Sequence, residues 1–478
     1  MDVKKSTIKG TAWSMVERFS TMGIQLLCTL FIAQYLSPSE FGLVSMMSIF
    51  LSFSMVMAEA GFGQAIIREK DVTATDTSSI FIFNIIIGLV IYTLCFLCAP
   101  LIASFYRQPE LTILIRVSFL TIIINSFAIV QGALLQKSVD FAKVSKVSLI
   151  SVILSGFIGI VVAVIYKNVW ALVLQSLGFV VSQTLLYWLF CKWYPTWEYS
   201  WKSVRKYLAF SLNLLGSRLI AALADNMANL FIGRAYTSAE LGNYTVPDKL
   251  QRSVAGTISF SIHRVSYSVM ASFQDDIEQL KIYSQKIVGM AFYITAPIML
   301  FLMIVAPQFF SIILSPEWAD SAIYFRYMCI IGAIFCFADI NMDILLVRGK
   351  SALVFKIEVV RKILLVVSLL VGIMFNMKTL LLILVVYNVF NAFFVSYFSG
   401  KEIGCSLTMQ LRNIIPTIIW LVLACTLTYL LILPIHNSYL YVISAFLIFG
   451  AIYIAGSYIT RIPYPQLIIS LIKNIISK

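Results

Sequence analysis

Residues 78–105 read SSIFIFNIIIGLVIYTLCFLCAPLIASF, and no Asp, Glu, Lys or Arg interrupts them. A bilayer core takes about 20 mostly apolar residues to cross as a helix. This stretch is therefore a candidate membrane span. It must be helical, because lipid offers no partner to a backbone N–H or C=O group. The same reading extends in both directions. Fourteen segments qualify: 10–36, 41–66, 78–105, 111–136, 147–166, 169–191, 207–234, 241–270, 284–311, 321–347, 353–375, 379–400, 413–433 and 439–460. The expected fold is an all-α polytopic membrane protein.

Composition agrees. The 478 residues are 60% hydrophobic and only 12% charged, against about 25% charged in soluble domains. So few charges cannot cover a globule in water. The net charge of +13 could signal nucleic acid, but the basic residues cluster in the short gaps between apolar runs, as membrane loops do. No nucleic-acid partner is expected. Of the eight cysteines, Cys95 and Cys98 form a C-x-x-C inside the quoted span, with no second pair nearby. The two histidines, His263 and His436, are too few for a histidine metal site, and no metal or cofactor is expected. Met1 to Lys9 is basic, but the apolar run behind it exceeds signal-peptide length, so no cleavable signal is expected.

Lysine and arginine placement orients the chain. With the N-terminus in the cytoplasm, the inner loops and termini hold twenty-four Lys and Arg. The outer loops hold four, namely Arg107, Lys167, Arg234 and Lys378. Both ends are then cytoplasmic. The widest gap, 193–206, mixes Trp193, Tyr194, Trp197 and Trp201 with basic residues, the mixture of an interfacial segment.

That gap separates two halves that echo each other. Phe31-Ile32-Ala33-Gln34 and Ser39-Glu40-Phe41-Gly42 recur two hundred residues later as Phe231-Ile232-Gly233-Arg234 and Ala239-Glu240-Leu241-Gly242. The shared glycine is expected to serve a tight outer turn. Ala99-Pro100 with Pro109-Glu110 recurs as Ala306-Pro307 with Pro316-Glu317. Six spans per half is an even number, so the repeats run parallel, related by an axis along the membrane normal. The expected organisation is a six-helix lobe over 1–192, a linker over 193–206, a second lobe over 207–400, and two additional helices with a tail over 401–478.

Charges inside spans are costly, about 2.5–3.5 kcal/mol for an arginine at the bilayer centre, and mark a bundle interior or a wet cavity. The first span carries Thr11, Ser14, Arg18, Thr21, Gln25 and Thr29 on one helical face, and the seventh carries Ser211, Arg218, Asp225 and Asn229. The repeat aligns Arg18 with Arg218, Gln25 with Asp225 and Thr29 with Asn229. Arg116 and Arg326 occupy similar places in the two halves, and the eighth span adds Lys249, Arg252 and Arg264. A cavity lined this way attracts an anion, and the arginine fork suits phosphate oxygens. Helix pairing or snorkelling would also explain some of these charges, Arg252 with Asp248 at i,i+4 among them. Glu59, Asp225, Asp339 and Asp343 are carboxylates that could hold a proton or a cation. Pro297 and Pro416 could act as hinges or only kink their helices.

Local motifs complete the reading. Gly10-Thr11-Ala12-Trp13-Ser14, Tyr35-Leu36-Ser37-Pro38-Ser39-Glu40-Phe41-Gly42 and Ala58-Glu59-Ala60-Gly61-Phe62-Gly63-Gln64-Ala65-Ile66-Ile67 occur in that order. Gln108-Pro109-Glu110-Leu111, Leu135-Gln136-Lys137, Leu241-Gly242-Asn243-Tyr244, Phe273-Gln274-Asp275-Asp276 and Ser315-Pro316-Glu317-Trp318 follow. Together they resemble the bacterial Wzx-type polysaccharide flippases of the colanic-acid-exporter kind, within the multidrug/oligosaccharidyl-lipid/polysaccharide exporter superfamily. Glu59 stands where that family often has Asp. The resemblance implies a transporter rather than an enzyme, working by alternating access in the bacterial inner membrane, with ion coupling in some members. It implies an undecaprenyl-diphosphate-linked oligosaccharide as cargo, with membrane lipids and polysaccharide polymerase machinery as partners. An organic-cation antiporter of the same superfamily and a membrane glycan polymerase or ligase are the competing readings. The first would want an acidic pocket, the second an outer loop with acid/base groups.

Overall fold

The computed structural model describes residues 3–460 and 462–466, and every regular element among them is a helix. The chain divides into two compact units, Met1–Thr245 and Val246–Lys478. The first contains α1 (Val3–Ala33), α2 (Pro38–Glu59), α3 (Phe62–Arg68), α4 (Ala74–Tyr106), α5 (Leu111–Ser118), α6 (Leu120–Ser126), α7 (Ile129–Lys137), α8 (Phe141–Tyr166), α9 (Trp170–Cys191), α10 (Trp201–Ala235) and the start of α11 (Ser238–Ser272). The second contains the rest of α11, α12 (Ile277–Ile313), a 3-10 turn at Pro316–Trp318, α13 (Ala319–Val347), α14 (Ser351–Gly372), α15 (Met377–Glu402), α16 (Leu407–Ile432) and α17 (Ser438–Ile459).

The fourteen expected segments are mostly helical, with 41–66 broken at Ala60–Gly61 and 111–136 broken between α5, α6 and α7. Among the described residues, ten helices are long and apolar enough to cross a membrane, and twelve spans result if each of two bent pairs crosses once. Those pairs are Leu111–Ser126 with Ile129–Lys137 and Trp201–Leu208 with Phe210–Ala235, each bent by 44°. The two remaining segments are α11 and α14, which match the others in length but carry more charge. α14 alone holds Lys356, Glu358, Arg361 and Lys362. Fourteen spans require these two to cross as well.

The repeated Ser39-Glu40-Phe41-Gly42 and Ala239-Glu240-Leu241-Gly242 motifs have a local cause. Glu40 accepts from the Ser37 N–H at 2.7 Å. Glu240 accepts from the Thr237 N–H at 3.3 Å, while the Thr237 hydroxyl accepts from the Glu240 N–H at 3.2 Å. Each glutamate is the third helical residue of a capping box that starts its helix.

The glycine that follows does not serve a turn, contrary to expectation. Positive-φ glycines among the described residues are Gly61, Gly349 and Gly404, so Gly42 and Gly242 sit in ordinary helix. Their role is close approach. A Cβ on Gly42 would lie 1.8 Å from the Ser238 carbonyl oxygen, and one on Gly242 would lie 1.7 Å from that of Pro38. The first turns of α2 and α11 thus touch backbone to backbone, as small residues allow in membrane helices. Hydroxyls flank the contact, Ser39 to Ser238 at 2.7 Å and Ser45 to Thr245 at 3.0 Å.

In the first unit α8 packs against α1 and α9, and α10 against α2. The segment before α10 runs without helix, tied to the start of α4. Ser78 accepts from the Thr196 N–H at 3.0 Å and Ser79 from the Ser200 N–H at 2.9 Å. Tyr194, Trp197 and Trp201 are exposed there.

In the second unit α12 is the central helix, packed on α13, α16 and α17. It runs on past Pro297, as α16 does past Pro416. The two helices outside the repeat are bound to it by specific contacts. The Tyr453 hydroxyl donates to the Tyr293 carbonyl at 3.0 Å, and the Tyr293 hydroxyl donates to Ser457 at 2.9 Å. Trp420 Nε1 donates to the Tyr453 carbonyl at 3.2 Å. Buried polar tips find partners, so α16 and α17 close one flank of α12.

Candidate functional site

The motif Ala58-Glu59-Ala60-Gly61-Phe62-Gly63-Gln64 builds a corner. Ala60 and Gly61 are consecutive left-handed residues, with φ of 45° and 76°. Only glycine adopts that conformation freely, and a residue with a Cβ loses about 1–2 kcal/mol there. The corner ends α2 at Glu59 and starts α3 with Gln64 in its first turn. Gly61 also lies against α10, where a Cβ would come 3.1 Å from the Ser211 carbonyl oxygen. Two helical turns further along α10, Arg218 reaches back to α2. Its Nη1 donates to Glu59 Oε2 at 2.9 Å. The Arg218 side chain is 32% exposed and that of Glu59 40%, so the ion pair is accessible rather than sealed.

Gly61→Val is expected to destabilise the protein by about 1–3 kcal/mol through backbone strain and to move α10 away from the corner. Thermal unfolding of the purified protein would show it as a lower Tm. An unchanged Tm would contradict this account of the corner.

The ion pair borders a cavity of about 230 Å³ inside the first unit, lined by Glu59, Gly61, Gly63, Gln64, Ile67, Asn125, Ala128, Ile129, Gly132, Ala133, Gln136, Gln183, Tyr187 and Arg218. The broken stretch α5–α7 contributes to its lining, with Asn125 from α6 and Gln136 from α7. Small residues keep the space open. The missing side chain of Gly132 faces the Tyr187 ring at 3.5 Å. The result is four carboxamides, a phenol and one ion pair among helices that mostly qualify as spans.

Of the expected site residues, the structure brings Arg218 and Glu59 to this cavity. Asn229 lies further along α10, its Nδ2 donating to the Ser48 hydroxyl at 3.3 Å. Arg18 and Gln25 are exposed on α1, and Asp225 on α10. The Arg116 guanidinium lies over the Phe96 ring, 4.2 Å from its centroid. Lys249 and Arg326 are exposed. Arg252 Nε donates to Asp248 at 2.8 Å. Arg264 is on α11, its side chain outside the described residues.

Asp339 and Asp343 form a second cluster, wholly in the second unit. Ser259 donates to Asp339 at 2.6 Å. Asp343 is 5% exposed and meets His263 Nδ1 at 2.5 Å, while His263 is 42% exposed. Sequence reasoning had set His263 aside for want of metal-ligating company, and its role as a carboxylate partner was missed. It lies eighty residues from Asp343, so no local spacing reveals the pair. The carboxamides were missed for a similar reason, being single polar residues on separate helices.

The family model for the polysaccharide biosynthesis protein family matches residues 31–323. A Klebsiella pneumoniae protein described as an uncharacterized membrane protein in the cps region is 27% identical, over 74% of this chain and 73% of its own. The lipopolysaccharide biosynthesis protein WzxC of Escherichia coli strain K12 is 24% identical over 78% and 76%. The teichuronic acid biosynthesis protein TuaB of Bacillus subtilis strain 168 is 24% identical over 74% of each chain. Among solved structures, the lipid II flippase MurJ in an inward closed conformation superposes with a TM-score of 0.73 at 13% identity, covering 96% of this chain and all of its own. An inward-facing MATE family transporter of the MOP superfamily gives a TM-score of 0.61 at 17% identity, covering 82% of this chain and 98% of its own. The structural likeness defines the fold, the family model covers well over half of the residues, and the chain belongs to the polysaccharide biosynthesis protein family.

Proposed function

We propose that this protein is a flippase. It moves an undecaprenyl-diphosphate-linked oligosaccharide repeat unit across the bacterial inner membrane by alternating access, with both termini in the cytoplasm, and it transports its substrate without transforming it. The observation that carries the reading is the accessible Arg218–Glu59 pair at the cavity of the first unit. An accessible guanidinium held in place by a carboxylate is a site where one anion can exchange for another. The incoming diphosphate takes the guanidinium fork, which fits two phosphate oxygens at once. The prenyl tail stays in lipid.

Charge balance supplies a route to coupling. Before loading, Arg218 and Glu59 neutralise each other. Once the diphosphate displaces Glu59, a carboxylate is left facing added negative charge, and uptake of a proton or cation relieves it. Asp343, with Asp339 nearby, is a second coupling position. A buried carboxylate touching an accessible imidazole can pass a proton between the surroundings and the helix interior. Asp343→Asn is expected to make flipping in reconstituted vesicles insensitive to an imposed pH gradient. Wild-type sensitivity in that variant would remove Asp343 from the coupling role.

The organic-cation reading fares worse at this cavity, because its one carboxylate is already neutralised by an arginine. Deletion of the protein followed by leaflet-resolved lipid analysis tests the proposal. A lipid-linked oligosaccharide trapped on the cytoplasmic leaflet is expected. A normal lipid profile, with altered accumulation of cationic drugs, would replace the proposal with the antiporter.

A further inference from the structure

We infer that the cavity of the first unit is a glycan subsite, in which Gln64, Asn125, Gln136, Gln183 and Tyr187 read the hydroxyl and acetamido groups of the sugar next to the diphosphate. This inference rests on the proposed lipid-linked cargo and deepens it.

The cavity fits a sugar in both chemistry and size. A carboxamide offers two N–H donors and a carbonyl acceptor, and a phenol both donates and accepts. Sugar hydroxyls likewise donate and accept, so amide-rich walls match them without favouring either charge. A site for a cation or for free phosphate would instead concentrate one sign of charge. Gln64 and Gln136 are exposed and Asn125 and Gln183 half-buried, so these amides border the space rather than being sealed in packing. The volume of about 230 Å³ equals roughly eight waters of liquid. That suits one pyranose ring rather than a whole repeat unit. Position agrees as well. In a prenyl diphosphate sugar the first sugar is bonded directly to the second phosphate, and here the amides adjoin Arg218. The sugar and the diphosphate are thus read side by side, the first by neutral hydrogen bonds and the second by charge.

The test is a comparison of affinities in purified full-length protein. The probes are farnesyl diphosphate and the same lipid carrying glucose, galactose or N-acetylglucosamine. At least one sugar is expected to tighten binding to the wild type roughly 10–100-fold, the worth of two or three net hydrogen bonds. In Gln64→Met/Gln183→Met, and separately in Asn125→Leu, the ratio of sugar-bearing to sugarless affinity is expected to fall towards one. Farnesyl diphosphate binding in the same samples reports that the variants are folded. A wild-type ratio of one for all three sugars overturns the subsite, as does a ratio that the amide variants leave unchanged. The diphosphate reading fails differently: Arg218→Ala would then bind farnesyl diphosphate as the wild type does, whatever the sugar ratio.

Discussion

Gly42→Ala and Gly242→Ala are each expected to disable the protein, although each adds a single methyl group. The new Cβ would stand 1.8 Å from the Ser238 carbonyl oxygen in the first case and 1.7 Å from that of Pro38 in the second. No real contact is that short, and the obstacle is backbone, which cannot rotate aside as a side chain could. The first turns of α2 and α11 must separate. Separation also breaks the hydroxyl contacts of Ser39 with Ser238 and Ser45 with Thr245. Overpacking costs about 1–3 kcal/mol in ordinary cores, and the upper end applies here. A marked fall in Tm and loss of export in a complementation assay are expected for both variants. Ser45→Ala, which removes one hydroxyl and adds no bulk, is expected to lose only about 1 kcal/mol. Glycine variants with wild-type Tm and export would show that the two turns are not in contact.

The second large effect concerns the ion pair, whose two members are expected to respond in opposite directions. On the proposed function, Arg218→Ala removes the fork that would hold the diphosphate. A charge-assisted hydrogen bond is worth about 1.5–3 kcal/mol, so affinity for a prenyl diphosphate falls roughly 10–100-fold. Glu59→Gln removes the internal anion that competes for the same guanidinium, and affinity rises. Tighter holding hinders release, so Glu59→Gln is expected to bind better and export more slowly. Titration of each purified variant with farnesyl diphosphate gives the affinities. If both substitutions weaken binding equally, the pair is a structural strut rather than an exchange site.

Much of the fold is legible in the sequence, because lipid leaves the backbone few choices. A charge-free run such as 78–105 has one regular solution, and it is α4. The capping glutamates Glu40 and Glu240 mark true helix starts, which is why their motifs repeat. What Gly42 and Gly242 do is not legible. A glycine after a helix start reads equally as a turn residue, and the contact that requires it lies about two hundred residues away. The packing of α16 and α17 onto α12 depends on hydroxyl tips such as that of Tyr453, which are silent in a hydropathy pattern.

The candidate site is partly legible for a related reason. A search for polar stripes sees one helix at a time, and it found Arg218 on α10. It could not see that the corner at Ala60–Gly61 delivers Glu59 to that arginine. Nor could it see a cavity whose amides come from α3, α6, α7 and α9, one from each. Arg116 was picked out by its place in the repeat, and that pattern gave no sign of the Phe96 ring beneath its guanidinium.

The most direct measurement is flipping itself. The protein, reconstituted into vesicles, is given a fluorescent undecaprenyl-diphosphate sugar in one leaflet, and the label's arrival in the other is followed for wild type and Arg218→Ala. Exchange of the diphosphate onto Arg218 predicts rapid transfer by the wild type and a rate at least tenfold lower in the variant, on the free-energy scale above. Equal rates would contradict the account, since an anion that crosses as quickly without the guanidinium is not carried by it.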